Sequence, residues 1–219
     1  MLPLIVIAGY PSSGKTALLR RLLPGLSREG RRVIAAELRV DPAGASPPPS
    51  PSYPLHRWVD EAYCPDHALA RHLDAILDRA AADAADVVVL ETAGLCARCS
   101  PFPERAFGIF AVDLTGGLRV PGKVGPMLET CDLCVCTRPD RVTGTERTLF
   151  EGALHAVSPD LPVHFLNGLT GEGAQAVVAR IDAWLTAGGG EGSLDMRRPL
   201  PQFFCSFCLG RTEVGILQA

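Results

Sequence analysis

The sequence lacks the features that would indicate a membrane or a nucleic acid as a partner. Basic residues are not in excess, because Lys and Arg number 21 against 24 for Asp and Glu and the formal net charge is −3. No apolar run approaches the roughly 18 residues of a membrane-spanning helix. The apolar opening has no basic segment before it and leads directly into polar turn residues, so it predicts a buried strand rather than a secretion signal. We therefore expect no nucleic-acid partner and no membrane partner.

Length and apolar content predict one domain with a short addition. The chain has 219 residues, 47% of them hydrophobic, and a domain typically uses about 100–200 residues. A glycine-rich stretch follows the last helical segment, and such stretches mark domain edges. We predict a domain over 1–187, a linker over 188–194 and a C-terminal tail that contains cysteines over 195–219.

Short apolar runs alternate with segments of helical period through the predicted domain. This alternation predicts an α/β fold, with a doubly wound, mostly parallel sheet and helices on both faces. A segment rich in Pro, Ser and Ala at 41–54 interrupts the pattern and predicts a loop. The predicted strands lie at 4–8, 33–36, 87–90, 109–112, 133–136 and 163–166, and the predicted helices at 15–23, 66–82, 145–156 and 173–185.

The octet GYPSSGKT at 9–16 follows the first predicted strand and precedes a helical segment. In that context the pattern G-x-x-x-x-G-K-[ST] is a strong indication of a phosphate-binding loop. Backbone N–H groups of such a loop face the phosphates, Lys15 reaches the β and γ oxygens, and Thr16 binds Mg²⁺. The chain is therefore predicted to be a cytoplasmic P-loop nucleoside triphosphatase. The residues expected to contact its nucleotide here are Gly9, Pro11, Ser12, Ser13, Gly14, Lys15, Thr16 and Ala17.

An acidic residue and a glycine follow the predicted strand at 87–90. Ligands of such folds bind at the carboxyl ends of the strands. We therefore expect Glu91 to orient the water shell of Mg²⁺ and Gly94 to sense the γ-phosphate. The alternative is an ordinary strand end followed by a glycine turn.

Together these motifs resemble the nickel-insertion GTPases of the signal-recognition-like class, most closely the urease accessory GTPase and next the hydrogenase maturation GTPase. The resemblance covers most of 4–185. It is carried by GYPSSGKTALLRRL, YCPDHALARHLDAI, VVVLETAG, FAVDLTGGLRVPGKVGP and NGLTGEGAQAVVARIDAWL, which stand in the family's order. It implies a slow GTPase that helps insert a metal into an apo-metalloenzyme. The implied partners are that client or its accessory proteins, and a second copy in a homodimer that depends on nucleotide or metal.

The resemblance also implies roles for single residues. Glu37 lies where the family has an acidic residue after its second strand, and we expect it to be catalytic. Asp113 and Lys123 fall in a segment that lies near the nucleotide and the dimer partner in the family. These roles add to those of the phosphate loop.

A candidate metal site resembles the family's Cys-Pro-His. Here the sequence is Cys64-Pro-Asp-His67, with Asp66 inserted. A thiolate and an imidazole suit Ni²⁺ or Zn²⁺ but do not complete a coordination shell, so a two-fold dimer would supply four ligands to one ion. The alternative is a buried cysteine and a surface histidine beside a helix-capping Asp66.

The base-reading motif departs from the family. Its Asn-Lys-x-Asp should follow the strand at 133–136, where this chain has Thr137, Arg138 and Asp140. Asp140 keeps the acceptor for the guanine N1–H and 2-amino groups, and Arg138 has a planar group that could stack on the base. Thr137 loses the side-chain amide that bonds the neighbouring backbone and the base. With Asn167 in the second base-side loop, we expect GTP to be preferred over ATP, by less than in relatives that have the full motif.

The eight cysteines leave a second function open. Two C-x-x-C pairs lie far apart and predict zinc or an iron–sulfur cluster, in one site or in two sites bridged across a dimer. A thiol–disulfide couple is a further alternative. With such a site the chain would be a nucleotide-driven redox activator of a corrinoid or nickel enzyme. The pairs are Cys96, Cys99, Cys205 and Cys208, whereas Cys131, Cys134 and Cys136 are predicted to pack in the core.

Overall fold

The computed structural model describes residues 1–40, 55–60, 65–92 and 102–197, with the backbone alone described at 29, 40, 60, 65–67, 70 and 71. Its strands are β1 (Leu4–Ala8), β2 (Val33–Val40), β3 (Leu55–Asp60), β4 (Val87–Glu91), β5 (Ala106–Asp113), β6 (Leu133–Thr137) and β7 (Val163–Leu166). They form one seven-stranded sheet in the order β3-β2-β4-β1-β5-β6-β7. All neighbouring strands are parallel.

The helices complete an α/β architecture, which confirms the predicted fold class. None of those in the described ranges has both the length and the apolar character needed to cross a bilayer. They are α1 (Lys15–Leu26), α2 (Pro65–Ala82), α3 (Val120–Lys123), α4 (Gly125–Leu128), α5 (Gly144–Val157) and α6 (Ala174–Thr186).

Helices cover the sheet on both faces. On one face, α1 and α6 bury Leu22 and Val177 against Ile5 of the central strand. On the other face, α2, α4 and α5 pack against the opposite side chains, among them Phe110. Because the central strands are buried on both faces, they are apolar at consecutive positions, which explains why their sequence pattern is so clear. Cys134 and Cys136 are buried in this core, as predicted, and Cys131 is half-buried at its edge.

One strand is missing from the sequence-based prediction. Strand β3 lies at the edge of the sheet beside β2, and its sequence LHRWVD mixes charged and apolar residues. Its side chains at 55–58 are half-buried, so the strand has no need of the continuous apolar run that marks central strands. Strand β2 is also longer than predicted and ends at Val40.

The face covered by α1 changes from apolar to polar near the carboxyl ends of the strands. Glu37 on β2 is paired in register with Glu91 on β4 and, on its other side, with Arg57 on β3. Asp113 on β5 and Thr137 on β6 are paired in the same way. Register partners in parallel strands point to the same face. The sheet therefore places a row of polar side chains beside the beginning of α1.

The segment after α6 packs against the body as far as the described residues extend. The N–H of Arg105 donates to Ser193 O at 3.1 Å, and the N–H of Arg197 donates to Phe102 O at 3.1 Å. The Arg197 side chain also donates to the Thr130 carbonyl at 3.1 Å and to Asp132 at 2.7 Å. Residues 193–197 thus lie on the domain, while the boundaries proposed from the sequence remain predictions.

Candidate nucleotide site

The octet forms a tight loop between β1 and α1. The N–H of Ser13 donates to Tyr10 O at 3.1 Å, which closes a turn within the loop. A Cβ on Gly9 would lie 2.6 Å from Ala111 O, and one on Gly14, whose φ is +92°, would lie 2.9 Å from the methyl group of Thr137. Both positions therefore require glycine. The loop ends at Lys15, where the first-turn N–H groups of α1 lack helical partners and form a site for an anion.

Lys15 lies folded over the loop. Its Nζ donates to Gly9 O at 2.8 Å and to Tyr10 O at 3.1 Å. Burial lowers the pKa of Lys15, and the nearby charge of Glu91 acts in the opposite direction. These carbonyls are neutral partners, so an anion placed at the loop would be a stronger partner for the ammonium group.

Thr16 and Glu91 meet at the beginning of α1. Thr16 Oγ1 donates to Glu91 Oε1 at 2.7 Å. Glu91 Oε2 is buried and has no hydrogen-bond partner within the described part of the chain. Burial is the main cause that raises the pKa of Glu91; the bond from Thr16 lowers it, and the charge of Glu37 raises it. A buried carboxylate oxygen without a partner destabilises the fold, so this atom is a candidate acceptor for a bound group.

Glu37 lies beside Glu91, but not where the sequence suggested. The predicted strand ended at 36, so Glu37 was expected after it; in the structure β2 continues to Val40 and Glu37 is in its middle. That expectation was wrong because β3 pairs with the second half of β2 and prolongs it. Glu37 is 8% exposed, and it accepts hydrogen bonds from Arg57 at 2.8 Å and Arg39 at 3.4 Å.

A cavity of about 640 Å³ opens next to the phosphate loop, at the carboxyl ends of β5 and β6. Asp140 lies at its wall with Arg138, whose guanidinium is paired with the Asp113 carboxylate. Asn167 Oδ1 accepts from the N–H groups of Leu169 and Thr170, at 2.9 and 3.2 Å, and so shapes the second wall. The predicted residues that line this cavity are Gly14, Ala17, Thr137, Arg138, Asp140 and Asn167.

Thr137 does more than the sequence suggested. It lacks the amide of the family's Asn, but its hydroxyl has a backbone partner of its own. Thr137 Oγ1 donates to Ser13 O at 2.7 Å, and Thr137 is only 3% exposed. This hydroxyl thus ties the strand end to the phosphate loop.

Several predicted residues lie elsewhere or outside the described part. Lys123 is exposed at the end of α3 and is not among the residues that line the cavity. The backbone of His67 is in the first turn of α2. The described residues contain no cluster of three or more metal-binding side chains. The predicted residues outside the described ranges are Cys64, Gly94, Cys96, Cys99, Cys205 and Cys208.

Sequence reasoning missed some residues of the site. Tyr10 Oη accepts a bond of 2.7 Å from the N–H of Asp113 and so links the loop to β5; Tyr10 occupies a variable position of the motif, which gives no signal. Arg57 reaches the site from the edge strand that the sequence did not reveal. Others line the cavity and lie inside the quoted motifs or directly after Asp140, but the sequence did not single them out; they are Thr115, Arg141, Gly168 and Leu169.

Comparison with known proteins agrees with this geometry. No family model matches the sequence. An uncharacterized protein of Methanocaldococcus jannaschii is 29% identical over 219 residues, which cover 96% of this chain and 90% of that protein. The urease accessory protein UreG 2 of Bradyrhizobium sp. is 31% identical over 192 residues, which cover 78% of this chain and 86% of that protein. HypB from Helicobacter pylori, solved in complex with nickel, has the same fold with a TM-score of 0.66 at 13% identity, over 87% of this chain and 90% of that one. The chain therefore belongs to the family of the urease accessory protein UreG.

Proposed function

We propose that the protein is a slow GTPase that helps to insert a metal ion, Ni²⁺ or Zn²⁺, into an apo-metalloenzyme. The observation that carries the GTPase part is the contact of Thr16 with Glu91 at the phosphate loop, beside a cavity that is lined by Asp140. A phosphate loop alone indicates a nucleotide. The Glu91 carboxylate, which accepts the bond from Thr16, lies next to the Glu37 carboxylate. Hydrolysis requires such groups to orient water and the Mg²⁺ shell.

Phosphate binding is proposed to replace the carbonyl partners of Lys15 with phosphate oxygens. Lys15 would leave the carbonyls of Gly9 and Tyr10 and donate to the β- and γ-phosphates. The loop from Pro11 to Ala17 would surround the phosphates, with backbone N–H groups after Pro11, which has none, as the donors; the glycine conformations at both ends of the loop allow this. The helix dipole of α1 adds to this attraction.

The site fits Mg²⁺ by the chemistry of its donors. Thr16 Oγ1 is an oxygen donor, and Glu91 Oε2 is a buried oxygen without a partner among the described residues. Mg²⁺ prefers such oxygen ligands and keeps several waters. When bound, it would neutralise charge on the β- and γ-phosphates. Thr16 would contact it directly, and Glu91 would accept hydrogen bonds from its waters.

Hydrolysis joins a water oxygen to the γ-phosphorus and breaks the bond from that phosphorus to the bridging oxygen. GDP leaves with the bonding electrons, and the proton of the water passes to inorganic phosphate. Glu37 is proposed to orient the attacking water through its carboxylate. Gly94 is proposed to sense the γ-phosphate from outside the described residues.

The base is proposed to be guanine, held by Asp140 through N1–H and the 2-amino group. Arg138 is fixed by Asp113 at the cavity wall and would lie against the base. Displacement of a fluorescent guanine nucleotide by GTP and by ATP tests this choice. We expect GTP to be the stronger competitor; equal displacement by ATP, or a preference for ATP, would show that Asp140 does not read guanine.

The metal is proposed to be the cargo, bound by Cys64 and His67 from two copies of the chain. The support for this is the family membership and the chemistry of a thiolate with an imidazole. Hydrolysis of GTP by the full chain in Mg²⁺, together with Ni²⁺ binding measured by calorimetry, tests the two halves separately. A protein without GTP hydrolysis, or without a metal site that depends on these two residues, would contradict the corresponding half.

A second candidate function is an activator that carries zinc or an iron–sulfur cluster on its C-x-x-C pairs. The observation that favours it is the bond from the Arg197 N–H to Phe102 O. Phe102 comes three residues after Cys99, and Arg197 comes eight residues before Cys205. An extended chain covers about 3.3–3.6 Å per residue, so both pairs are within reach of one point in a single chain. Anaerobic purification distinguishes the candidates: iron and sulfide in a brown protein favour the activator, and colourless protein with Zn²⁺ or Ni²⁺ favours metal insertion.

A further inference from the structure

We propose that Arg57 is a positioning residue that holds the Glu37 carboxylate for nucleotide hydrolysis, an inference that rests on the proposed GTPase function. Arg57 lies on the edge strand β3 and outside the phosphate loop, the base-side loops and the acidic segment after β4. Its Nε donates to Glu37 Oε2 at 2.8 Å. No motif of the sequence predicts this contact, which exists because β3 extends the sheet beside β2.

The contact stands in a row of three charged side chains. Arg57, Glu37 and Glu91 are register partners on adjacent strands, so their side chains share one face. Glu91 is tied to Thr16 at the end of this row. The row therefore runs from the edge of the sheet to the beginning of α1.

Two carboxylates side by side repel each other and need compensation to remain in place. The Glu37 side chain is 11% exposed, and that of Arg57 is 21% exposed, so their contact is largely shielded from water. Among the described residues, the second bond to Glu37, from Arg39 to Oε1, is longer at 3.4 Å. Arg57 is thus the closer of the two cations, and a charge-assisted bond of this length fixes direction as well as charge.

The two oxygens of Glu37 have different roles in this arrangement. Arg57 holds Oε2 on the side of β3 and so sets the rotation of the whole carboxylate. Oε1 remains for the weaker contact with Arg39 and for a water at the γ-phosphate. Without Arg57, the carboxylate turns away from Glu91 and orients water less well, although the nucleotide contacts at Lys15 stay the same. The effect falls on kcat rather than on nucleotide affinity.

Single-turnover GTP hydrolysis and nucleotide affinity test this on the full chain with Mg²⁺. We expect Arg57→Gln to slow hydrolysis about tenfold, with the Kd for GTP within about twofold of wild type. The loss should be smaller than the roughly 10²–10⁴-fold contribution of a positioned acid or base, because Glu37 itself remains. Arg57→Lys should recover most of the rate, because it keeps the charge. Arg57→Met is a second charge-free variant of similar length for the case that Arg57→Gln does not fold. Arg31→Gln is the matched control, since Arg31 has an ion pair of 2.6 Å with Asp182 at a distance from the site.

The double variant Glu37→Gln, Arg57→Gln decides whether Arg57 acts through Glu37. If it does, Arg57→Gln causes no further loss of rate when Glu37 is already Gln. An unchanged rate in both charge-free variants, a fully additive loss in the double variant, or a rate loss matched by weaker GTP binding would each overturn the proposal. A wild-type protein that does not hydrolyse GTP contradicts the proposed function instead, so the two failures are distinguishable.

Discussion

Among single residues, Lys15 carries the charge on which the proposed phosphate binding would depend. In the structure its ammonium group bonds only neutral carbonyls of its own loop in the described contacts, at 2.8 and 3.1 Å. Because no other basic residue belongs to the octet, Lys15→Ala is expected to abolish hydrolysis and to weaken GTP binding at least tenfold. Arg20→Ala, an exposed position on α1, is the control. Phosphate release at the wild-type rate from the Lys15 variant would contradict the assignment of the loop.

The Thr137 hydroxyl makes a backbone bond at the position where the family's base-reading motif has Asn. Its bond of 2.7 Å to the Ser13 carbonyl is buried under the phosphate loop. Thr137→Val keeps the shape but leaves that carbonyl without its partner, at a cost of about 1–2 kcal/mol. We expect GTP affinity to fall about fivefold or more, measured by titration, as the loop becomes less fixed. Thr148→Val removes an exposed helix hydroxyl and should leave affinity unchanged, so an equal effect of both variants would argue against a role of the bond.

Among the elements, the central strands and the edge strand differ in how far their sequences predict them. A strand such as β1 is buried on both faces and must be apolar throughout, so its limits were predicted correctly. Strand β3 is half-buried and carries Arg57, which pairs with Glu37 across the sheet. Such pairing depends on a partner 20 residues away in the chain, so no local pattern reveals it. For the same reason, the sequence predicted Glu37 and Glu91 as site residues but not Arg57 beside them.

The segment after α6 also depends on long-range contacts. Arg197 accounts for several of them: it bonds carbonyls at Pro103, Thr130 and Ala106 and the carboxylate of Asp132. Its side chain is 19% exposed.

Loss of these bonds should therefore destabilise the domain. Arg197→Ala is expected to cost about 2–3 kcal/mol, because charged hydrogen bonds in a largely shielded place are removed together. For a domain of this size we expect the Tm to fall by about 4–10 °C, measured by thermal unfolding. Arg180→Ala, at an exposed position on α6, is the control and should shift the Tm little. An unchanged Tm for Arg197→Ala would show that the segment adds no stability.

For the whole molecule, the proposed function needs two sites to influence each other. The proposed nucleotide contacts lie at the beginning of α1, whereas Cys64 precedes α2 in the sequence and is outside the described ranges. Strand β3 pairs with β2, which carries Glu37, and ends at Asp60, four residues before Cys64 in the sequence. The loop that would bind the nucleotide could be predicted from one motif, because a phosphate loop is local in sequence. The proposed metal site would depend on a second copy of the chain, which no single sequence pattern contains.

A dimer-linked metal site predicts that nucleotide and metal bind cooperatively. If Cys64 and His67 of two copies surround one ion, metal binding has a stoichiometry of one per dimer, and GTP with Mg²⁺ should tighten it while shifting monomer to dimer. Calorimetry with Ni²⁺ and Zn²⁺ measures the metal affinity, and sedimentation measures the shift from monomer to dimer. Both use a variant in which the C-x-x-C cysteines are replaced by Ser, so that these pairs bind no metal; they are Cys96, Cys99, Cys205 and Cys208. Affinity should fall as the pH is lowered, because the thiol and the imidazole must lose their protons to bind the metal.

The variants Cys64→Ala and His67→Ala test the proposed metal site by removing its ligands. In the serine background, either one should remove the nucleotide-dependent metal binding and leave GTP affinity within about twofold, because neither residue belongs to the phosphate loop. His72→Ala, a half-buried position farther along α2, is a control for loss of a histidine from the same helix. If metal binding keeps its stoichiometry without Cys64 and His67, the cargo site lies elsewhere in the chain. If GTP does not alter metal affinity in the unsubstituted protein, the two sites are not coupled, and hydrolysis cannot control release of the ion.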